Sequence, residues 1–376
     1  MKIPLFKIYT DSKDIKAVSD VIKSGMNWAI GPKIEEFEKA VAKYVGIKYA
    51  VAFNSGTSAL HALMMAYGFG PNDEIIVPSF TFIATANAPL FVGAKPVFAE
   101  VESTTFGLDP KDVEKKITEK TKAIMVVHYG GCACRIQEIK KIAEKHSLIL
   151  IEDAAESLGA EVDSKKVGTF GDSAMFSFCA PKVITMGEGG VIVTDNKDVY
   201  EKLKLARSHG RLETENYFSS LAYMDYISLG YNFRMSNITA ALGLSQLKKI
   251  EKIIQMRIKN VNYLTPKLSD ISEISVPQEP RNYRHIFQMY TLKVNNKKIR
   301  DALKEYLNKK GISAKIYFPP IHLTDFYKKS FGFKNGNLPA TENLSDRVLT
   351  LPMYPGLTKK EADFIAKEIK GFFKKK

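Results

Sequence analysis

The chain opens with two segments of helical period. Over residues 12–25, Ile15, Val18 and Ile22 recur on one helical face, and Gly25 can terminate the turn. A second helix is predicted after Pro32, a position that tolerates proline, with Ile34, Phe37 and Val41 in phase and Gly46 at its end. From Tyr49 the pattern changes. Short apolar runs, "YAVAF", "EIIVP", "KPVFAEV", "KAIMVV", "LILIED", "AMFSF" and "GVIVT", alternate with helical stretches at 58–68, 83–92 and 136–146. In the last of these Ile136, Ile139 and Ala143 are in phase. Buried apolar strands alternating with helices predict an α/β fold with a mostly parallel sheet covered on both faces. Ligands in such sheets collect at the carboxyl ends of strands, where Asp153 falls, as do Asn54 and Ser55. A long helix is predicted from about Ser236 to Arg257. Beyond it, strand-like "DISEISVPQEP" and "HIFQMYTLKV" and helix-like "KKIRDALKEYLNKKG" and "EADFIAKEIKGFF" predict a smaller α+β lobe. The expected domains are therefore 1–257, the large one, and 258–376.

Composition narrows the class. A chain of 376 residues can build one large core and a smaller lobe. No stretch reaches the ~20 apolar residues of a membrane span, and the first residues carry no apolar signal-peptide core. Three cysteines (Cys132, Cys134, Cys179) argue against a disulfide framework and for a reducing cytoplasm. The net charge of +14 suits an anionic partner, either nucleic acid or a phosphorylated small molecule. The lysines are scattered through amphipathic helices, and the elements that mark nucleic-acid binders are missing, so neither nucleic acid nor membrane is expected as a partner. The six histidines and the Cys132-x-Cys134 pair lack metal-site spacing, so no metal is expected.

Five stretches carry candidate chemistry. In "NSGTSALHAL", Gly56 and Thr57 stand between a strand and a helix, a natural phosphate site, although Ser-Gly-Thr is also ordinary turn and cap chemistry. In "VPSFTFIATANA", Phe82 can lie on a flat heterocycle or simply fill the core. In "EDAAESLGA", Asp153 ends an apolar strand, where a carboxylate needs a partner; a helix cap, an ion pair or a pyridinium N–H would each serve. Small Ala155 leaves room for a ring. In "FSFCAPKVITMGEGG", Lys182 is the one cation, with no charged residue within five positions of it, and desolvation there is expected to lower its pKa from ~10.4. Ser177 offers a hydroxyl to a phosphate. In "LGYNFRMSN", Asn232 and Arg234 precede a helix and read as a surface loop with a cap.

A lysine and a buried carboxylate, each fixed at the end of a strand, match the needs of pyridoxal phosphate (PLP) chemistry. The amine takes the cofactor aldehyde as a Schiff base, and the carboxylate keeps the pyridine nitrogen protonated so that the ring accepts electrons.

Taken in order, "SGMNWAIGPKIEEFEKAVAKYVG", "NSGTSAL", "PSFTFIATANA", "VVHYGG", "IEDAAESLGA", "FSFCAPKVITMGEGG", "ARSHG", "GYNFRMSNITAALG" and "LTLPMYPGLTKKE" resemble the DegT/DnrJ/EryC1/StrS family of PLP-dependent nucleotide-sugar aminotransferases. The resemblance implies the fold type I aminotransferase architecture and a homodimer with shared active sites. It implies Lys182 as the Schiff-base lysine, Asp153 as the pyridine partner and Phe82 as the stacking residue. Gly56, Thr57 and Ser177 become phosphate contacts, and Asn232 a phosphate contact donated to the neighbouring subunit. His322 and Tyr317 fall where substrate-side residues lie. L-glutamate is the implied amino donor, a nucleotide-linked keto-sugar the acceptor, and pyridoxamine phosphate the form between them. Glu156 stands where glutamine is common near the cofactor's phenolic oxygen, and resembles the perosamine synthase-like subgroup that aminates 4-keto-6-deoxy sugars. Arg135, Cys179 and Met186 also depart from common family residues, which bears on substrate rather than cofactor. A sugar dehydratase, a non-sugar ketone aminotransferase and a non-catalytic regulatory or nucleic-acid-binding protein are the rival readings; Lys182 and Asp153 disfavour the first and the last. Sugar choice is expected to depend on the 209–226 loop and the partner subunit.

Overall fold

The computed structural model describes residues 1–212, 221 and 223–374. Of the 209–226 loop, residues 213–220 and 222 lie outside the described residues. The strands are β1 (Tyr49–Phe53), β2 (Glu74–Pro78), β3 (Lys95–Ala99), β4 (Thr121–Val127), β5 (Ile149–Asp153), β6 (Glu161–Val162), β7 (Lys165–Lys166), β8 (Ser173–Ser177), β9 (Gly190–Thr194), β10 (Ile274–Ser275), β11 (Tyr283–Arg284), β12 (Tyr290–Val294) and β13 (Val348–Leu351). Seven of them form the main sheet in the order β1-β9-β8-β5-β4-β2-β3. All run the same way except β9, which is antiparallel to both neighbours. Each apolar run seen in the sequence is a strand of this sheet, because burial on both faces demands continuous apolar side chains. Two apolar layers flank it, one holding Phe37, Val126 and Phe176, the other Leu60, Val77 and Ile192.

A second sheet, β10-β12-β13, is antiparallel and packs with the helices Lys297–Lys309 and Lys359–Lys374 around Tyr290, Leu303 and Ile365. Ile3 joins this cluster, and its N–H reaches the Gly311 carbonyl at 2.8 Å. The helix Ile250–Leu268 runs unbroken through residue 257; Ile250 and Ile254 pack in the large core, Leu264 and Leu268 in the C-terminal cluster. Among the described residues no helix is long and apolar enough to cross a membrane.

Three local expectations are corrected. The single helix predicted from Ser236 to Arg257 is two, Asn237–Leu247 and Ile250–Leu268, because Lys249 leaves helical geometry (φ −121°, ψ 12°). The first helix, Ser12–Lys23, does not bury Ile15 and Ile22, which are 70% and 45% exposed. It turns Asp14 and Val21 inward instead, and Asp14 accepts hydrogen bonds from Ser245 (2.6 Å), Gln246 (2.9 Å) and Lys249 (2.7 Å). Finally, the run "HIFQMYTLKV" becomes a strand only from Tyr290. Before that, Ile286 and Met289 donate to the Gly131 and Gly130 carbonyls, which ties the small lobe to the end of β4.

Candidate active site

The carboxyl ends of the parallel strands meet at a cavity of about 520 Å³. Strand register sets what lines it. Phe53, Gly190 and Ser177 stand side by side across β1, β9 and β8, and Val127, Asp153 and Met175 across β4, β5 and β8. The segments that leave these ends, 55–57, 81–85, 153–156 and 177–182, therefore converge. Gly56, Thr57, Phe82, Asp153, Glu156, Ser177, Lys182 and Tyr317 all line the cavity.

The helix Gly56–Tyr67 starts at the end of β1. Its cap, Ser55, receives the Ser58 N–H at 3.1 Å, while Gly56 and Thr57 open the helix and have no carbonyl within it for their own N–H groups. No acidic residue sits in its first turn. A Cβ added at Gly56 would lie 3.3 Å from the Ser177 Cβ and 3.1 Å from the Met175 sulfur, so glycine lets this turn approach β8 closely. Phe82 precedes the helix Ile83–Leu90 and is 60% exposed. It is not a core residue of this chain, and it lines the cavity.

Asp153 is buried. Its Oδ2 receives the Thr85 hydroxyl at 2.7 Å, and its Oδ1 the Ala155 N–H at 3.1 Å. Burial pushes its carboxyl above the ordinary range, against the pull of Thr85, Ala155 and the Lys182 charge. Lys182 Nζ donates to Glu156 Oε1 at 3.2 Å, and the Gly130 N–H donates to Glu156 Oε2 at 2.9 Å. The expectation of a lowered lysine pKa is corrected. Burial does oppose the charge on Lys182, but the Glu156 carboxylate outweighs it, with help from Cys179 and Asp153, so the net shift is upward. The Glu156 carboxylate is thus engaged by an amine and a backbone donor.

Two proposed residues are not in the cavity wall. His322 is fully buried, with Nδ1 2.7 Å from the Ser79 hydroxyl and Nε2 3.1 Å from Glu342 Oε1. Both ring nitrogens are engaged, and His322 bridges Ser79 and Glu342 without lining this chain's own cavity. Asn232 is exposed, its backbone bridged to Ser208, and does not line this chain's own cavity. Of the departures from the family pattern, Arg135 pairs with Glu138 on the surface and Met186 is buried, whereas Cys179 lines the cavity.

The sequence reading missed Thr81, Thr85, Gln288 and Lys315, all of which line the cavity. The two threonines stood in the same stretch as Phe82, four residues apart, a spacing that places hydroxyls on one side. Gln288, whose amide N–H donates to the Pro181 carbonyl at 2.7 Å, and Lys315 had no signal, since they come from the small lobe.

The donor set suits a phosphorylated pyridine aldehyde. A helix N-terminus without acidic neighbours and the Ser177 hydroxyl suit a phosphate. Ala155 and the Phe82 ring suit a flat heterocycle, a buried carboxylate suits a ring N–H, and the Lys182 amine suits an aldehyde.

Comparison with known proteins agrees. The model of the DegT/DnrJ/EryC1/StrS aminotransferase family matches residues 9–370. A GDP-perosamine synthase of Caulobacter vibrioides is 39% identical over 338 residues, covering 89% of this chain and 88% of that protein. Helicobacter pylori PseC, an aminotransferase involved in the biosynthesis of pseudoaminic acid, superposes with a TM-score of 0.94 at 32% identity over 100% of both chains. Streptococcus pneumoniae Spr1654 in its PLP form superposes with a TM-score of 0.93 at 27% identity, covering 100% of this chain and 99% of that one. A match of this length, found in sequence and again in fold, makes the chain a member of the DegT/DnrJ/EryC1/StrS aminotransferase family with the fold type I architecture.

Proposed function

We propose that the protein uses PLP to move an amino group from L-glutamate to a nucleotide-linked keto-sugar, a 4-keto-6-deoxy sugar by its likeness to GDP-perosamine synthases, for amino-sugar and polysaccharide biosynthesis. The observation that carries this reading is the convergence of Lys182 and Asp153 on one cavity whose wall also offers a helix N-terminus. When bound, the cofactor supplies an aldehyde that condenses with amines and a ring that accepts the electrons of a carbanion.

The protein's own groups do the rest. Gly56, Thr57 and Ser177 hold the phosphate, and Phe82 and Ala155 sandwich the ring. Asp153 holds a proton at the ring nitrogen. Lys182 Nζ would anchor the aldehyde at rest; once released, it would take the proton from the α-carbon of the donor and give it to the carbon that carried the cofactor's aldehyde. Glu156 Oε1, 3.2 Å from that amine, holds it in place while it is free and favours its ammonium form once it has taken the proton. Apart from Lys182, Lys315 is the one cation among the described residues lining the cavity. Its Nζ lies 3.3 Å from the Tyr317 hydroxyl, and we assign the pair to the carboxylates of glutamate and the diphosphate of the sugar nucleotide.

A homodimer completes the site in this reading. Exposed Ile15, Ile22, Met26, Trp28, Phe91 and Leu229 supply apolar surface for a partner, and exposed Asn232 reaches the partner's phosphate site. Residues 1–257 and 258–376 act as a large cofactor lobe and a small lobe that closes on substrate.

The test is to incubate the protein with PLP, L-glutamate and a panel of nucleotide keto-sugars. Equimolar 2-oxoglutarate and an amino-sugar nucleotide by mass spectrometry are expected. Dehydrated sugar without 2-oxoglutarate, or turnover of non-sugar ketones alone, overturns the reading.

A further inference from the structure

We propose that Thr81 and Thr85 form a one-way hydrogen-bond relay that keeps Asp153 ionised and aimed at the cofactor's ring nitrogen. The inference rests on the reading of Asp153 as the partner of that nitrogen.

Thr85 is 1% exposed and Thr81 is 4% exposed, and both line the cavity. Thr85 Oγ1 lies 2.7 Å from Asp153 Oδ2, and Thr81 Oγ1 lies 3.0 Å from Thr85 Oγ1. A hydroxyl has one proton to give, and an ionised carboxylate can only accept. The Thr85 proton therefore goes to Asp153, and its oxygen is left to accept the proton of Thr81. The order is Thr81 to Thr85 to Asp153, each bond polarising the next. A neutral Asp153 carrying its proton on Oδ2 would have to run this chain backwards. The relay thus favours the ionised carboxylate by one charge-assisted bond.

It also fixes direction. Oδ2 is held by Thr85 and Oδ1 by the Ala155 N–H, and each oxygen keeps acceptor capacity for one more donor. Threonine suits this task better than serine, because its branched Cβ restricts χ1 and keeps the hydroxyl aimed. Burial is the largest influence on Asp153 and, with the Glu156 charge, disfavours its ionisation; the Thr85 hydroxyl, the Ala155 N–H and the Lys182 charge favour it.

The test uses holoenzyme loaded with PLP labelled with 15N in the ring, whose nitrogen chemical shift reports protonation, together with single-turnover kinetics with L-glutamate. Without Thr85 the carboxylate is more basic and takes the shared proton. Thr85→Val is expected to move the signal toward neutral pyridine and to slow the glutamate half-reaction roughly tenfold to a hundredfold, with KM for glutamate changed by less than about threefold. Thr81→Val should shift both readouts the same way by about two- to threefold. Thr85→Ser should stay within about twofold of wild type. Thr85→Ala gives the same readout if the valine variant does not fold.

A wild-type nitrogen signal in Thr85→Val overturns the relay. So does a loss in Thr85→Ser as large as in Thr85→Val, since the retained hydroxyl would then count for nothing. A wild-type protein that takes up no PLP overturns the relay and the proposed function together, whereas a loaded enzyme indifferent to Thr85 overturns the relay alone.

Discussion

Glu152 and Asp153 are neighbours at the end of β5, and alternation along a strand sends their side chains to opposite faces. Both are buried carboxylates, yet their surroundings differ. Glu152 Oε1 receives the N–H groups of Phe170 (2.8 Å) and Gly171 (2.7 Å), and Oε2 those of Gly168 (2.7 Å) and His128 Nε2 (2.8 Å). His128 Nδ1 accepts from the Cys134 N–H, so its proton must sit on Nε2, facing Glu152. Burial pushes the Glu152 carboxyl up, but His128 and these backbone donors outweigh it and hold it below the ordinary range. Asp153 has two donors and a carboxyl held above that range. One carboxylate is completed by the fold and serves as a staple between loops. The other is left incomplete and faces a cavity. A buried charge that the fold does not finish satisfying is the one available to a ligand.

Four experiments can break or sharpen that contrast. Lys182 belongs to the incomplete side, and Lys182→Ala is expected to lower transaminase turnover by roughly a thousandfold or more; borohydride should no longer fix PLP to the chain, as read by intact mass. Near-wild-type turnover would remove the lysine from the chemistry. Next, Asp153→Asn should lower kcat roughly a hundredfold while leaving the cofactor-free protein at least as stable as wild type at pH 7. The sign follows from its raised carboxyl: ionisation costs stability once pH rises past the unfolded value of about 3.9, so the stability gap should close as pH falls through that range in urea titrations.

Glu152→Gln should do the reverse. It is expected to cost about 3 kcal/mol in urea unfolding at pH 7, with kcat per folded molecule within about threefold of wild type. Because Glu152 is held below its unfolded value of about 4.3, its stabilisation is full above that pH and fades as pH falls through its folded value. If Glu152→Gln and Asp153→Asn lose the same property, the contrast fails. The smallest effect is expected at His322. His322→Gln should cost about 1 kcal/mol of stability and leave kcat/KM within about threefold; a large rise in KM for the sugar nucleotide would return this histidine to the substrate side.

Much of this contrast could be read in advance at Asp153, which followed an apolar run, and at Lys182, the one cation in its stretch. The role of Glu152 could not, because three of its four partners come from 168–171, and the polar letter alone does not say whether donors will arrive. Helix Ser12–Lys23 failed for a related reason. Its pattern promised an apolar face of Ile15 and Ile22, but the neighbouring helix offers Ser245 and Gln246, and the loop after it Lys249, so the acid went inward. Residues of the small lobe such as Gln288 and Lys315 reach the cavity only because 286–289 pair with Gly130 and Gly131 at the end of β4.

From its sequence alone the chain determined an α/β sheet of mostly parallel apolar strands, and which strand ends carry the amine, the carboxylate and the Ser-Gly-Thr turn. Those features are local: strand burial follows from runs of apolar residues, and turns from glycine and hydroxyl side chains. The tertiary structure decided what each charge meets. It raised the Lys182 pKa through Glu156, gave Asp153 its threonines and withdrew His322 from the cavity, because hydrogen bonds and charges act over a few ångströms between residues that may stand hundreds of positions apart.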